Sequence, residues 1–157
     1  MKLRKADIKD INQLVEMRIG YLKEDYGTLS EEQIGGISEQ LPSYFKSHLN
    51  KDLYVYVAEC NGEIISTVFM LVVEKPANPS FLTGKTGTFL NVYTKENFRK
   101  KGIANSLVET ALKDAEKLSL SYVDLQATKD GYSLYLKNNF KEQKSEYTYM
   151  KYNIQNY

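Results

Sequence analysis

The spacing of hydrophobic residues changes period several times along this chain, and each change marks a new element. Lys2 to Ala6 reads as a short first strand with Leu3 as its inward residue. Asp7 or Asp10 then caps a helix running to about Asp25. Ile8, Ile11, Leu14, Val15, the Arg18 stem, Ile19 and Leu22 fall on one helical face, and Gly27 ends it. Ser30 suits a cap before Glu31 and Glu32, but Gly35-Gly36 weakens that segment. Pro42 fits a first turn better than a helix interior, since it lacks the N–H and clashes with the preceding turn. Two short helices, the second from about Ser38 to Leu49, are therefore expected in place of one long one.

From Leu53 the pattern alternates. Leu53 to Glu59 and Glu63 to Val73 are apolar, β-branched runs joined by Asn61-Gly62, a strong hairpin signal. Glu74 to Lys85 carries Pro76, Asn78, Pro79 and Gly84 and reads as a loop. Thr86 to Thr94 is the next strand. After Gly102 a helix extends to about Leu118, with Ile103, Leu107, Ala111 and Ala115 on one face and Ala104, Val108 and Leu112 beside them. Tyr122 to Ala127 alternates as a strand, and a short helix from about Asp130 to Lys137 follows. Phe140 to Gln143 and Glu146 to Tyr152 read as a closing pair of strands with Lys144-Ser145 as the turn. Strands in the middle with helices between them give an α+β or α/β class with a mixed sheet, in a single domain over residues 1–157.

Composition narrows the function classes more than the fold. At 42% hydrophobic and 26% charged residues, the chain has the balance of a soluble globular protein. A net charge of +1 gives no pointer to nucleic acid or an anionic membrane as partner. One cysteine, Cys60, excludes an internal disulfide, offers no metal spacing and suits a reducing cytosol. One histidine, His48, leaves little room for His-based triads or metal sites, and it falls where it would favour a helix C-terminus. No apolar run approaches the ~20 residues of a membrane span, and Met1 to Lys5 lacks a signal-peptide core, so a cytoplasmic protein is expected. Tyrosine, at 13 residues, is the abundant proton-bearing side chain.

The candidate chemistry centres on Asn91 to Ala104. A strand that stops, a basic turn with glycine and a helix start make an anion cradle, because the first N–H groups of a helix lack intrahelical partners and sit at the positive end of its dipole. Gly102 leaves the backbone open to a phosphate, and Arg99, Lys100 and Lys101 add charge. As a bare pattern the turn is equally a solvated basic helix end. It is neither the dinucleotide glycine fingerprint nor the phosphate loop of nucleotide hydrolases.

Arg99-x-x-Gly102-x-Ala104, followed by Leu134-Tyr135-Leu-Lys-Asn-Asn139-Phe140, resembles the GCN5-related N-acetyltransferase (GNAT) superfamily. The order of elements from Met1 to Tyr152 fits as well, the first half by element order only. Lys100 and Asn139 stand where the family commonly has glycine, and Thr128 where it often has asparagine. Asparagine tolerates a left-handed helix end, so that feature survives. The resemblance implies acetyl-CoA as co-substrate. Its pantetheine arm would lie along Asn91 to Thr94, engaging Val92, Tyr93 and Thr94, where neighbouring strands splay. Its diphosphate would sit at Gly102, Ile103, Ala104 and Asn105 with Arg99, Lys100 and Lys101, and Thr128 would make a further contact. Tyr135 is implied as the acid for the leaving thiolate, since a phenol keeps its proton at neutral pH.

Arg18, Tyr21, Tyr26 and Asn91 are weaker candidates for the acceptor wall, with an amphipathic surface or plain sheet structure as the alternative. Glu59, Glu74 and Glu96 are bases by residue type only, and a water chain would serve as well. No Cys or Ser lies in an activated-nucleophile motif, which favours direct transfer in a ternary complex over an acyl-enzyme. The acceptor is expected to be a small primary amine, with a protein or peptide amine second. A non-catalytic acyl-CoA sensor and an interaction module that binds no CoA are the rival classes, and a homodimer is left open.

Overall fold

Asn61 and Gly62 both take positive φ, 52° and 82°, the combination a tight hairpin needs to follow the twist of its strands. They join β2 (Leu53–Cys60) to β3 (Glu63–Glu74), in a register running from Leu53 opposite Leu71 to Cys60 opposite Glu63. In this computed structural model, which describes residues 1–155, the hairpin is the middle of a six-stranded mixed sheet. β1 (Lys2–Lys5) pairs antiparallel with β2, β4 (Lys85–Phe89) pairs antiparallel with β3, and β6 (Val123–Asp124) lies parallel to β4. The chain falls into two units, Met1–Gln126, which holds the whole sheet, and Ala127–Tyr157.

Both faces of the β2–β3 hairpin are covered, which explains its nearly unbroken apolar sequence. Leu53, Val55 and Val57 of β2 pack with Ile64 and Phe69 of β3 against α1 (Ile11–Tyr26) and α2 (Glu31–His48). Tyr56, of opposite parity, points the other way and donates its hydroxyl to Asp114 (3.2 Å) on α3 (Ile103–Lys117). Ile103, Leu107, Val108, Ala111 and Ala115 of α3 are buried, the face read from its spacing.

Several expectations need correction. Leu3 is 37% exposed, and Arg4 is the more enclosed residue of β1 because it bonds Asp10 and Glu59. Ile8 belongs to a short 3-10 turn, Ile8–Asp10, capped by Asp7, and is exposed; Met17 takes the core position instead. Residues 31–48 form one helix with Pro42 inside it, because buried Leu41 and Phe45 flank the proline and anchor the helix to the sheet. The strand expected over Thr86 to Thr94 is broken. Leu90 N–H returns to Phe69 O (2.9 Å) and Val92 N–H to Leu90 O (2.8 Å), after which β5 (Tyr93–Thr94) pairs with Ser66 and Thr67 of β3. The β4–β6 ladder stops at Thr88 opposite Asp124. The strand at Tyr122 to Ala127 shortens to the two residues of β6.

In the second unit, α4 (Tyr132–Lys137) ends on Asn139 at φ 64°. Phe140 N–H bonds Tyr135 O (3.0 Å), Asn139 N–H bonds Leu136 O (3.0 Å), and the Phe140 and Tyr135 rings meet edge-on at 5.8 Å. That is the paired-bond, left-handed helix end with its apolar contact. The two closing strands are not formed over the described residues 140–155. Tyr147, Tyr149, Met150 and Tyr152 are 86–90% exposed, so neither alternate face is buried and β propensity has nothing to act through.

Candidate functional site

β5 leads through a 3-10 turn, Glu96–Phe98, into the head of α3. Two residues there take left-handed backbone, Lys100 at φ 60° and Gly102 at φ 77°, and only the second is of the type that adopts it without strain. Ser106 N–H makes the first bond of the helix, to Gly102 O (3.1 Å), so the N–H groups of Ile103 and Ala104 precede the ladder. Space around Gly102 is open: a Cβ built there would meet nothing within 4 Å. Ile103, buried at 5% exposure, fixes the direction in which the helix head points.

The cations expected around this turn differ in their freedom. Arg99 donates from Nε to Thr94 O (2.8 Å), pairs through Nη2 with the Glu24 carboxylate, and lies over the Tyr93 ring at 5.7 Å. Glu24 raises the Arg99 pKa, so the guanidinium stays charged while it ties the turn to β5 and α1. Lys101 donates to Asn97 O (3.0 Å) within the turn, and the Lys100 side chain is exposed. Asn105 donates to Glu109 (2.7 Å) along α3.

On the other side of β5, Tyr93 packs so closely on α1 that a Cβ at Gly20 would stand 3.0 Å from its hydroxyl. Burial, then the nearby Glu24 carboxylate, pushes the Tyr93 phenol pKa up. Asn91, fully buried in the break between β4 and β5, donates to Thr67 Oγ1 (3.1 Å), whose hydroxyl donates back to Asn91 O (3.2 Å). The free side of the Asn91 amide, Oδ1, accepts from Arg18 Nη1 (3.2 Å). Arg18 also lies 5.6 Å from the Tyr21 ring, and burial pulls its pKa down. Arg18, Tyr21 and Asn91 are thus brought together; Tyr26, 72% exposed at the last position of α1, stands on their solvent side, near enough to act on Arg18 and Tyr21 electrostatically.

In the second unit, the Thr128 hydroxyl accepts from Gly131 N–H (3.2 Å), closing the turn before α4, and Tyr135 is buried on that helix. Among the residues expected to matter less, His48 ends α2, pairs with Asp52 (2.8 Å) and stacks on Tyr44. Cys60 ends β2 at the hairpin. The described residues contain no group of three or more His, Cys, Asp or Glu able to hold a metal. They also contain no helix long and apolar enough to cross a membrane.

Sequence reasoning missed Gly20, Glu24 and Thr67. An isolated glycine in a helical pattern was the available signal for the first, since it marks a close approach. Glu24 lies one turn further along the same helical face. Thr67 sits in an apolar strand and carries no local sign of its partner.

Comparison with known proteins supplies the rest. Residues 51–142 match the family described as acetyltransferase (GNAT) domain. A Clostridium acetobutylicum structure, described as a predicted acetyltransferase with acetyl-CoA, is 30% identical at a TM-score of 0.83, over 96% of this chain and 95% of that one. A GCN5-related N-acetyltransferase from Ralstonia eutropha JMP134 shares the fold at a TM-score of 0.79 with 20% identity, over 95% and 97% of the two chains. In sequence, the chain is 28% identical to an N-alpha-acetyltransferase of Sulfolobus acidocaldarius, over 91% of this chain and 81% of the relative.

Proposed function

This chain belongs to the GNAT family of acetyltransferases, and we propose that it moves an acetyl group from acetyl-CoA to a primary amine by direct transfer. The observation that carries this reading is the head of α3. Gly102 in left-handed backbone opens a helix whose leading N–H groups lie outside its ladder, next to a strand, β5, that pairs with β3 alone among the described strands. Those N–H groups would take the diphosphate, with Lys100 and Lys101 adding charge. Arg99, already paired with Glu24, would hold the turn in shape more than bind. With Val92 N–H bonded to Leu90 O and Thr94 O to Arg99, the remaining backbone groups on the edge of β5 away from β3 would serve the pantetheine amides. Acetyl-CoA supplies the activated acyl group. The chain supplies orientation, which is worth up to ~7–11 kcal/mol when both reactants are held together, and a proton for sulfur from Tyr135. That role for Tyr135 rests on its place in the Leu-Tyr-x-x-x-Asn-Phe segment. Thr128, whose hydroxyl accepts one bond in closing its own turn, would offer a ligand its O–H and its second lone pair.

Arg18, Tyr21 and Asn91 are the proposed acceptor wall, and Tyr26 the outer edge of it. We favour a small-molecule amine. The N-alpha-acetyltransferase relative supports a second reading, the α-amine of a peptide. Purified protein incubated with acetyl-CoA tests both: its melting temperature rises with ligand concentration, since ligand held by the folded state stabilises by RT ln(1 + [L]/Kd), and a panel of small amines and N-terminal peptides accelerates thiol release. No shift and no acceptor-dependent thiol would sink the proposal.

A further inference from the structure

The chain has three arginines, and they are not placed alike. Arg4 pairs with Asp10 and Glu59, and Arg99 pairs with Glu24. Arg18 makes no ion pair among the described residues, although it is more deeply buried than either. Taking a guanidinium out of water without an anion is costly, so its position asks for a reason. Asp25, on the same helix, acts on Arg18 through space without an ion pair, and its carboxylate accepts from the Tyr21 hydroxyl (3.3 Å). The other groups around Arg18 are the neutral phenols of Tyr21, Tyr26 and Tyr44.

The guanidinium is also held in a set orientation. Its Nη1 donates to Asn91, whose amide is locked by the two bonds to Thr67, and both of those residues are completely buried. A buried amide spent on aiming an arginine fixes the plane of its fork before any ligand arrives. No fully buried side-chain polar atom among the described residues lacks a partner, so the N–H groups that Arg18 does not spend on Asn91 are not sealed off from solvent. Asn91 itself interrupts the strands beside β5, the stretch assigned above to the pantetheine arm.

We infer that Arg18 is a carboxylate-recognition residue, and that the acceptor is a small amino-acid-like molecule bearing a carboxylate as well as its primary amine. The inference rests on the acetyltransfer reading and names the substrate class for it. A guanidinium fork matches the planar carboxylate with two parallel N–H···O bonds. A single guanidinium matches a monoanion better than a phosphate dianion, and the nearby Asp25 carboxylate disfavours the dianion further.

The test is kcat/KM for matched acceptors, lysine against 1,5-diaminopentane and tyrosine against tyramine, with phosphoethanolamine and acidic N-terminal peptides as further arms. The wild type is expected to favour the carboxylate member of a pair by about 10- to 100-fold, the worth of a charge-assisted hydrogen bond. Arg18→Gln should bring that ratio towards one through the KM of the acid, and Arg18→Lys should recover part of it. Thermal stabilisation by acetyl-CoA reports that each variant is folded and loads its donor. A wild type that binds acetyl-CoA but acetylates the plain amines equally well, takes only phosphoethanolamine or peptides, or turns over neither member of either pair overturns the inference. So does an unchanged ratio in Arg18→Gln. A wild type with no acetyl-CoA shift fails the acetyltransfer reading first, and the inference with it.

Discussion

A missing methyl group at Gly20 lets α1 approach β5. Its Cβ would lie 3.0 Å from the Tyr93 hydroxyl, and that ring also carries the Arg99 guanidinium. Gly20→Ala is therefore expected to cost about 1–3 kcal/mol by overpacking, measured by chemical denaturation, and an unchanged midpoint would show that the ring yields freely. The glycine was visible in the sequence, but Tyr93 was not, because close approach between distant segments leaves no local pattern. Asp10 gives a residue-scale pH prediction. Arg4 holds its carboxyl below the ordinary value of 3.8, so its contribution is complete above that value and is lost as pH falls through the lower, folded pKa. Asp10→Asn should lose about 1.5–3 kcal/mol at neutral pH, the range for charged hydrogen bonds, and flatten the fall in stability below about pH 4. An equally steep acid limb in the variant would assign that limb elsewhere. Tyr135→Phe keeps the ring that meets Phe140 edge-on and removes only the hydroxyl. Lost general-acid catalysis predicts kcat lower by about 100-fold with little change in KM for acetyl-CoA, and unchanged turnover would remove the phenol from the mechanism.

At the scale of elements, α2 shows where local rules lose to packing. Pro42 and Gly35-Gly36 argue against one helix, yet Leu41 and Phe45 gain enough from burial to carry it through. The two glycines are exposed, avoid positive φ, and have nothing within 4 Å of an added Cβ. Gly35→Ala and Gly36→Ala should each stabilise by about 0.5–1 kcal/mol, read as a higher melting temperature; a lower one would mean that the helix needs their freedom. The hairpin was legible because Asn61-Gly62 acts within a few residues of itself. The break between β4 and β5 was not, because Phe89 to Tyr93 stays apolar enough to read as one strand, and the interruption is fixed by Asn91 bonding across to Thr67. The left-handed end at Asn139 was foreseen from residue type, while the closing strands were not formed because alternation of tyrosine and threonine does not supply a buried face.

At the scale of the whole molecule, the order of elements and the two motifs carried the family assignment, and residues 51–142 match it. Charge carried little, since a net +1 is compatible with many partners. The proposed acceptor class was the least legible, because the proposal rests on Arg18 making no ion pair among the described residues, which becomes visible only once Arg4 and Arg99 have been matched with theirs. The account as a whole depends on the head of α3 receiving the diphosphate of CoA. A crystal structure of the protein with CoA tests this directly: diphosphate oxygens should lie about 2.7–3.2 Å from backbone nitrogens between Gly102 and Asn105, with the sulfur within reach of the Tyr135 hydroxyl. CoA bound with its diphosphate away from that helix head, or with the thiol far from Tyr135, would contradict it.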